Sequence, residues 1–194
     1  MKERIKQLQR KLGVAADGII GPVTLGSICR ALGVAEAPVW PTQAEVRSGK
    51  SCFGAPGNEQ ALQSVTPPYA LYFEGTRVRT IRVHHLIAAH VEQALQEVLA
   101  HYGQENIHRL GLDIYGGSYA YRATSAGKSL SMHAWGIALD FAPESNAYST
   151  RAPYATLSAP ECSAWWDIWE SHGASSLGRE CGYDWMHLQF AGLR

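Results

Sequence analysis

The sequence predicts an α+β fold: a small antiparallel sheet with flanking helices, preceded by a short all-helical module. Three observations carry this. Strand-like runs follow one another as hairpins, only a few helical stripes separate them, and the first 33 residues show helical periodicity alone. At 194 residues and 21.2 kDa the chain holds one ordinary domain with a small extra module. Its composition, 46% hydrophobic and 18% charged, is that of a packed globular protein and excludes intrinsic disorder. Seventeen Lys and Arg balance seventeen Asp and Glu, so there is no basic excess for nucleic acid. No run reaches the ~18 apolar residues of a membrane span. The opening MKERIKQLQRKLGV is basic but meets no apolar signal core, which predicts a chain made in the cytoplasm, and a monomer is expected.

In the first module Ile5, Leu8 and Leu12 recur at helical spacing until Gly13. Asp17-Gly18-Ile19-Ile20-Gly21-Pro22-Val23-Thr24 is a turn sequence whose proline suits a helix start, and Leu25, Ile28, Cys29 and Leu32 mark the second helix. The stretch 34–45 holds Pro38 and Pro41 and reads as a linker. The expected division is a helical module at 1–38, a linker at 39–49 and the main domain at 50–194.

In the main domain Tyr69–Phe73 and Val78–Val83 are predicted strands. Leu86–Tyr102 is the best helix, with Ile87, Val91, Ala94, Leu95, Val98 and Leu99 on one stripe and Gly103 as its stop. His84-His85 before it suits a capping or surface role. Leu110, Leu112 and Ile114 alternate as a strand ending at a Gly116-Gly117 turn. A helix with Cys162, Trp165, Trp166 and Trp169 on its apolar face is expected to open with a capping box of Ser158 and Glu161. Gly136–Ala142 and Trp185–Phe190 complete the strands. The four cysteines lack C-x-x-C spacing and are expected to be free, mostly buried thiols.

The last two strands carry the chemistry. Strand parity places Ala138, Asp140 and Ala142 on one face of the first, opposite Ile137, Leu139 and Phe141. Parity in the second sends Met186, Leu188 and Phe190 inward and His187 to the other face. His133 precedes the first strand and can fold back through Gly136. Two histidines and one carboxylate form a three-ligand set with a fourth position open, the pattern of a catalytic zinc site, one ion per chain. Asp184, three residues before His187, falls in the turn entering the strand, beside the metal, where it suits a general base. Simpler alternatives stay open: hydrogen-bonded histidines, Asp140 capping a turn, Asp184 paired with Arg179.

Ser131-x-His133-x-x-Gly136-x-Ala138-x-Asp140 followed by Asp184-x-x-His187 resembles the zinc D,D-peptidase family. This family includes D-alanyl-D-alanine carboxypeptidases, D-Ala-D-Ala dipeptidases and phage L-alanyl-D-glutamate endopeptidases. The resemblance extends over about residues 50–193 through Phe53-Gly54-x-Pro56-Gly57, Pro67-Pro68-Tyr69, Gly116-Gly117 and Arg122. It implies zinc on His133, Asp140 and His187, Asp184 as base where many members have Glu, and Arg122 holding a substrate oxygen. Ser131 would contact substrate or support a ligand. Leu8-Gln9, Leu12-Gly13 and Asp17-Gly18-x-x-Gly21-Pro22-x-Thr24 resemble a small peptidoglycan-binding module, implying wall contact through Asp17, Gly18, Gly21 and Thr24; a helical cap is the alternative. The expected function is zinc-dependent cleavage of peptidoglycan stem peptides, as an L-alanyl-D-glutamate endopeptidase of the phage endolysin type that reaches the cell wall after release. The alternatives are a D-alanyl-D-alanine carboxypeptidase and a non-catalytic wall-binding protein.

Overall fold

A computed structural model describes residues 1–33, 38–124 and 127–193. The chain divides into two compact units, Met1–Pro38 and Val39–Arg194. In the first, helices α1 (Lys2–Lys11) and α2 (Pro22–Leu32) flank the glycine turn. The side chain fully buried on α1 is not an aliphatic residue but Gln9. Its amide nitrogen donates to Asp17 Oδ1 at 2.7 Å, the Ile19 carbonyl at 2.8 Å and Thr24 Oγ1 at 2.9 Å, and its Oε1 accepts from the Gly18 amide at 2.8 Å. Gly18 has φ +79°, and a Cβ there would lie 2.6 Å from Lys2 Cγ, so both conformation and space favour glycine.

Residues 39–49 do not form a linker. Trp40 packs against Phe53, His90 and Phe190, and helix α3 (Gln43–Arg47) follows, with Val46 fully buried. Thr42 and Glu45 form a capping box, and Gln43 N donates to the Gly192 carbonyl at 2.8 Å. The two prolines suggested a spacer, but Trp40 and Val46 supply enough apolar surface to hold the segment on the core. Residues 34–37 of the expected linker lie outside the described residues.

Strand β1 (Leu62–Val65) comes next, then β2 (Leu71–Phe73), β3 (Thr76–Val78) and β4 (Ile81–His84). The run expected as one strand over Val78–Val83 is split, because its halves pair differently: β3 closes a hairpin with β2, while β4 pairs antiparallel with β1. Glu74 (φ 47°) and Gly75 (φ 74°) form the two-residue hairpin loop, with the double positive φ that matches strand twist. His84 then caps helix α4 (His85–Arg109), its Nδ1 accepting from the Leu86 amide at 3.3 Å. Gly103, at φ 68° and ψ 160°, interrupts the helical backbone as expected, and a second helical stretch then runs to Arg109 with Ile107 buried. Residues 110–114 make a turn, with the amide of the buried Leu112 on the Ile107 carbonyl, so their alternation does not mark a strand.

The main sheet has the order β5 (Tyr115–Gly117), β6 (Ala138–Phe141), β8 (His187–Gln189), β7 (Ser175–Ser176), all antiparallel. Gly116 lies within β5, not in a tight turn; a Cβ there would come 2.9 Å from Asp140 Cβ. Leu139 and Leu188 face each other in register, both fully buried. Behind them Phe141 meets Trp165 and Trp169 of helix α5 (Ser163–Ser171) edge-on or tilted. The Ser158–Glu161 capping box does not form: two 3-10 turns occupy 156–162, and Ser158 Oγ donates to the Ala155 carbonyl at 2.6 Å. Helix α6 (Leu177–Cys181) leads into β8. All four cysteines are free; Cys162 is buried, whereas Cys52 and Cys181 are exposed. Among the described residues no helix is long and apolar enough to cross a membrane.

Candidate metal centre

The β6–β8 register sets Asp140 directly opposite His187. His133 arrives from the chain just before β6, on a 3-10 turn at Met132–Trp135. Gly136 ends that turn at φ 69°, and its carbonyl accepts from the His84 amide at 2.8 Å. A Cβ at this position would lie 2.5 Å from Leu62 Cδ2, so the return of His133 toward β6 depends on glycine. Gly116 serves the other side, leaving room for Asp140 where β5 crosses it.

The three side chains converge. His133 Nε2 lies 3.2 Å from Asp140 Oδ2 and 3.3 Å from His187 Nδ1, and His187 Nδ1 lies 2.9 Å from Asp140 Oδ1. Each is at most 7% exposed. The remaining imidazole nitrogens are committed elsewhere. His133 Nδ1 donates to the Ser118 carbonyl at 2.8 Å, which leaves Nε2 with its lone pair. His187 Nε2 donates to Gln189 Oε1 at 3.2 Å, and the Gln189 amide is oriented by its own bond to the Ala191 carbonyl. In the neutral tautomers both outward bonds leave a lone pair facing Asp140, and when either imidazole is protonated that same nitrogen donates to the carboxylate. A tetrahedral ion with bonds of about 2.0–2.1 Å sets donor separations near 3.3 Å, close to the 3.3 Å between the two imidazole nitrogens, so the donor set suits zinc. Among the described residues this is the cluster able to hold a metal ion.

The electrostatics agree. Burial opposes the charge on Asp140, but hydrogen bonds from His133 and His187 outweigh it and hold the carboxyl well below the usual range. Burial also works against a proton on His187, yet Asp140, with Asp184 beyond it, raises its pKa above the ordinary histidine value.

Asp140 and His187 open onto a cleft of about 260 Å³, lined also by Arg122, Ser131, Asp184, Tyr148, Tyr183 and Met186. Asp184 sits in the turn before β8 at φ 56°, its amide on the Tyr148 carbonyl and its carbonyl receiving the His187 amide. Its Oδ1 is buried with no hydrogen-bond partner, and burial raises its pKa. The alternative pairing with Arg179 is not formed; that guanidinium binds Asp167 and Glu170. Arg122 Nη2 stands 4.0 Å from Asp140 Oδ2, and its carbonyl accepts from the Ser131 amide across a short bridge. Ser131 Oγ accepts from the His133 amide at 3.4 Å, capping the turn that carries the first histidine.

Residues 124–190 match a family model described as D-alanyl-D-alanine carboxypeptidase. The match takes in His133, Asp140, Asp184 and His187 and covers about a third of the chain; Arg122 lies just ahead of it. No curated protein and no solved structure matches. The family match and the buried His-Asp-His set together support a metallopeptidase.

Ser118 and Gln189 were not assigned support roles from the sequence. Gln189 shares the face of His187 by parity, a signal within reach. Ser118 acts through its backbone carbonyl, which leaves no trace in residue type.

Proposed function

We propose that the chain is a zinc-dependent peptidase that cuts the peptide stems of bacterial peptidoglycan, with His133, Asp140 and His187 as zinc ligands. The observation that carries this reading is the pairing of a lone-pair-lined metal cluster with a buried, unpartnered carboxylate in one cleft. An ion held by His133, Asp140 and His187 would supply a water of pKa ~7 and a Lewis acid for the carbonyl oxygen. Asp184 accepts the proton released when water attacks the scissile carbonyl and returns it to the leaving amine. Arg122 directs its guanidinium to the carbonyl oxygen as negative charge develops. Ser131 holds the His133 turn in place from beneath the substrate.

The bond cut is that between L-alanine and D-glutamate, in an enzyme of the endolysin type acting on the cell wall. Residues 1–38 serve as the wall-binding module through the Asp17–Thr24 turn, which keeps the enzyme near an insoluble polymer and raises effective substrate concentration. The description of the matched family favours a second reading, a carboxypeptidase releasing terminal D-alanine. Incubating purified protein with peptidoglycan and identifying the released ends by mass spectrometry decides between them. New L-alanine carboxyl ends and D-glutamate amino ends support the endopeptidase; free D-alanine as sole product supports the alternative. No release at all would leave a wall-binding protein. Removing residues 1–38 should weaken retention on insoluble wall more than it slows cleavage of a soluble peptide.

A further inference from the structure

Arg47 also lines the cleft that contains Asp140, Asp184 and Arg122. It lies at the end of α3, an element fixed from several directions. Thr42 N and Oγ1 both donate to Glu45 Oε2, at 2.7 and 2.9 Å, and the Glu45 amide returns to Thr42 Oγ1. Gln43 and Pro41 bind the backbone of Gly192, in the chain that leaves β8, so the strand bearing His187 also positions α3. Val46 anchors the helix in the core immediately before Arg47.

The guanidinium itself is only partly used. Its Nε donates to the Leu130 carbonyl at 3.1 Å, which sets the plane of the group. Among the described residues it has no ion-pair partner, whereas Arg82 binds Glu59 and Arg179 binds Asp167 and Glu170. Neither carboxylate of the cleft takes it, since Asp140 is committed to the two histidines. An oriented fork of N–H donors, held on a rigid element and left without an anion, matches a planar carboxylate.

We propose that Arg47 is a specificity-determining residue that binds a carboxylate of the substrate peptide next to the scissile bond. The proposal rests on the peptidase reading and assigns the two guanidiniums different tasks. Arg122, 4.0 Å from Asp140, serves the reacting carbonyl, and Arg47 selects an anionic neighbour. The substrate class is therefore a peptide with a free carboxylate on the residue that follows the cut.

The test uses the full chain loaded with zinc and two synthetic peptides that differ only there, one bearing a free α-carboxylate and the other a carboxamide. Wild type should favour the carboxylate peptide by about 10- to 100-fold in kcat/KM, as expected for charge-assisted hydrogen bonds. Arg47→Gln should collapse that ratio toward unity, mainly through KM, and Arg47→Lys should retain part of it. Arg122→Gln should slow both peptides and keep the ratio. A wild-type ratio in Arg47→Gln overturns the proposal. If wild type cuts neither peptide, the peptidase reading fails separately, and calorimetric binding decides the role of Arg47. The carboxylate peptide must then bind wild type more tightly than the carboxamide does, and Arg47→Gln must abolish the difference; equal binding overturns it.

Discussion

Two buried polar clusters, one in each unit, reach the same burial by opposite means. Around Gln9 every donor meets an acceptor: one amide nitrogen serves Asp17, Ile19 and Thr24, and its oxygen takes the Gly18 amide. Around Asp140 acceptors are turned toward one another, because Ser118 and Gln189 occupy the outer nitrogens of both histidines. The first cluster is complete in itself and holds a turn together. The second gathers acceptors around a point where a positive charge is favourable, which the proposed zinc would supply, and the difference distinguishes a structural polar core from a candidate metal site.

Removing a member of each cluster should therefore have unlike consequences. The largest effect is expected from His187→Ala, which deletes a ligand. Zinc content, melting temperature and activity should fall together, activity to background, as read by elemental analysis, calorimetry and peptide cleavage. Asp184→Asn keeps the cluster whole but removes the proton acceptor. Activity should fall by about 10²–10⁴-fold while zinc content and melting temperature hold. Loss of zinc in this variant would make Asp184 a ligand.

Gln9→Leu should act on the first unit alone. It leaves the buried Gly18 amide without its acceptor, which costs about 1–3 kcal/mol. Hydrogen exchange at the Gly18 amide should accelerate, and cleavage of a soluble peptide should be unchanged.

Much of the second cluster was legible in the sequence, because strand parity fixes which side chains share a face. That Asp140 and His187 each stand away from the Leu139 and Leu188 faces follows from period-two geometry, whereas their pairing across the strands is a matter of register that parity does not fix. What escaped depended on contacts distant in sequence. α3 was hidden by two prolines, although Trp40 and Val46 bury against residues far along the chain. Gly103 does break the helical backbone as its type predicts, but the helical stretch that follows to Arg109 was not foreseen. The first cluster was masked because its central residue is a glutamine on a helix, a type expected in water.

A smaller effect sharpens the comparison with a third buried polar group, the α4 cap. Burial, with the neighbouring charge of His85, lowers the His84 pKa from 6.5 to about 4. Between these values the unfolded chain takes up a proton that the folded chain refuses, so the contribution to stability is present above pH ~6.5 and is lost as pH falls toward ~4. His84→Asn keeps a capping acceptor but does not titrate. Its urea midpoint should decline less between pH 7 and 4.5 than that of wild type; an equal decline would remove His84 from the account.

The central claim, that the Asp140 cluster holds zinc and is then catalytic, is tested most directly by titrating zinc into metal-depleted protein while following cleavage of a stem peptide. Activity should rise from background and saturate at one zinc per chain. A metal-free chain that cleaves at the full rate would contradict it.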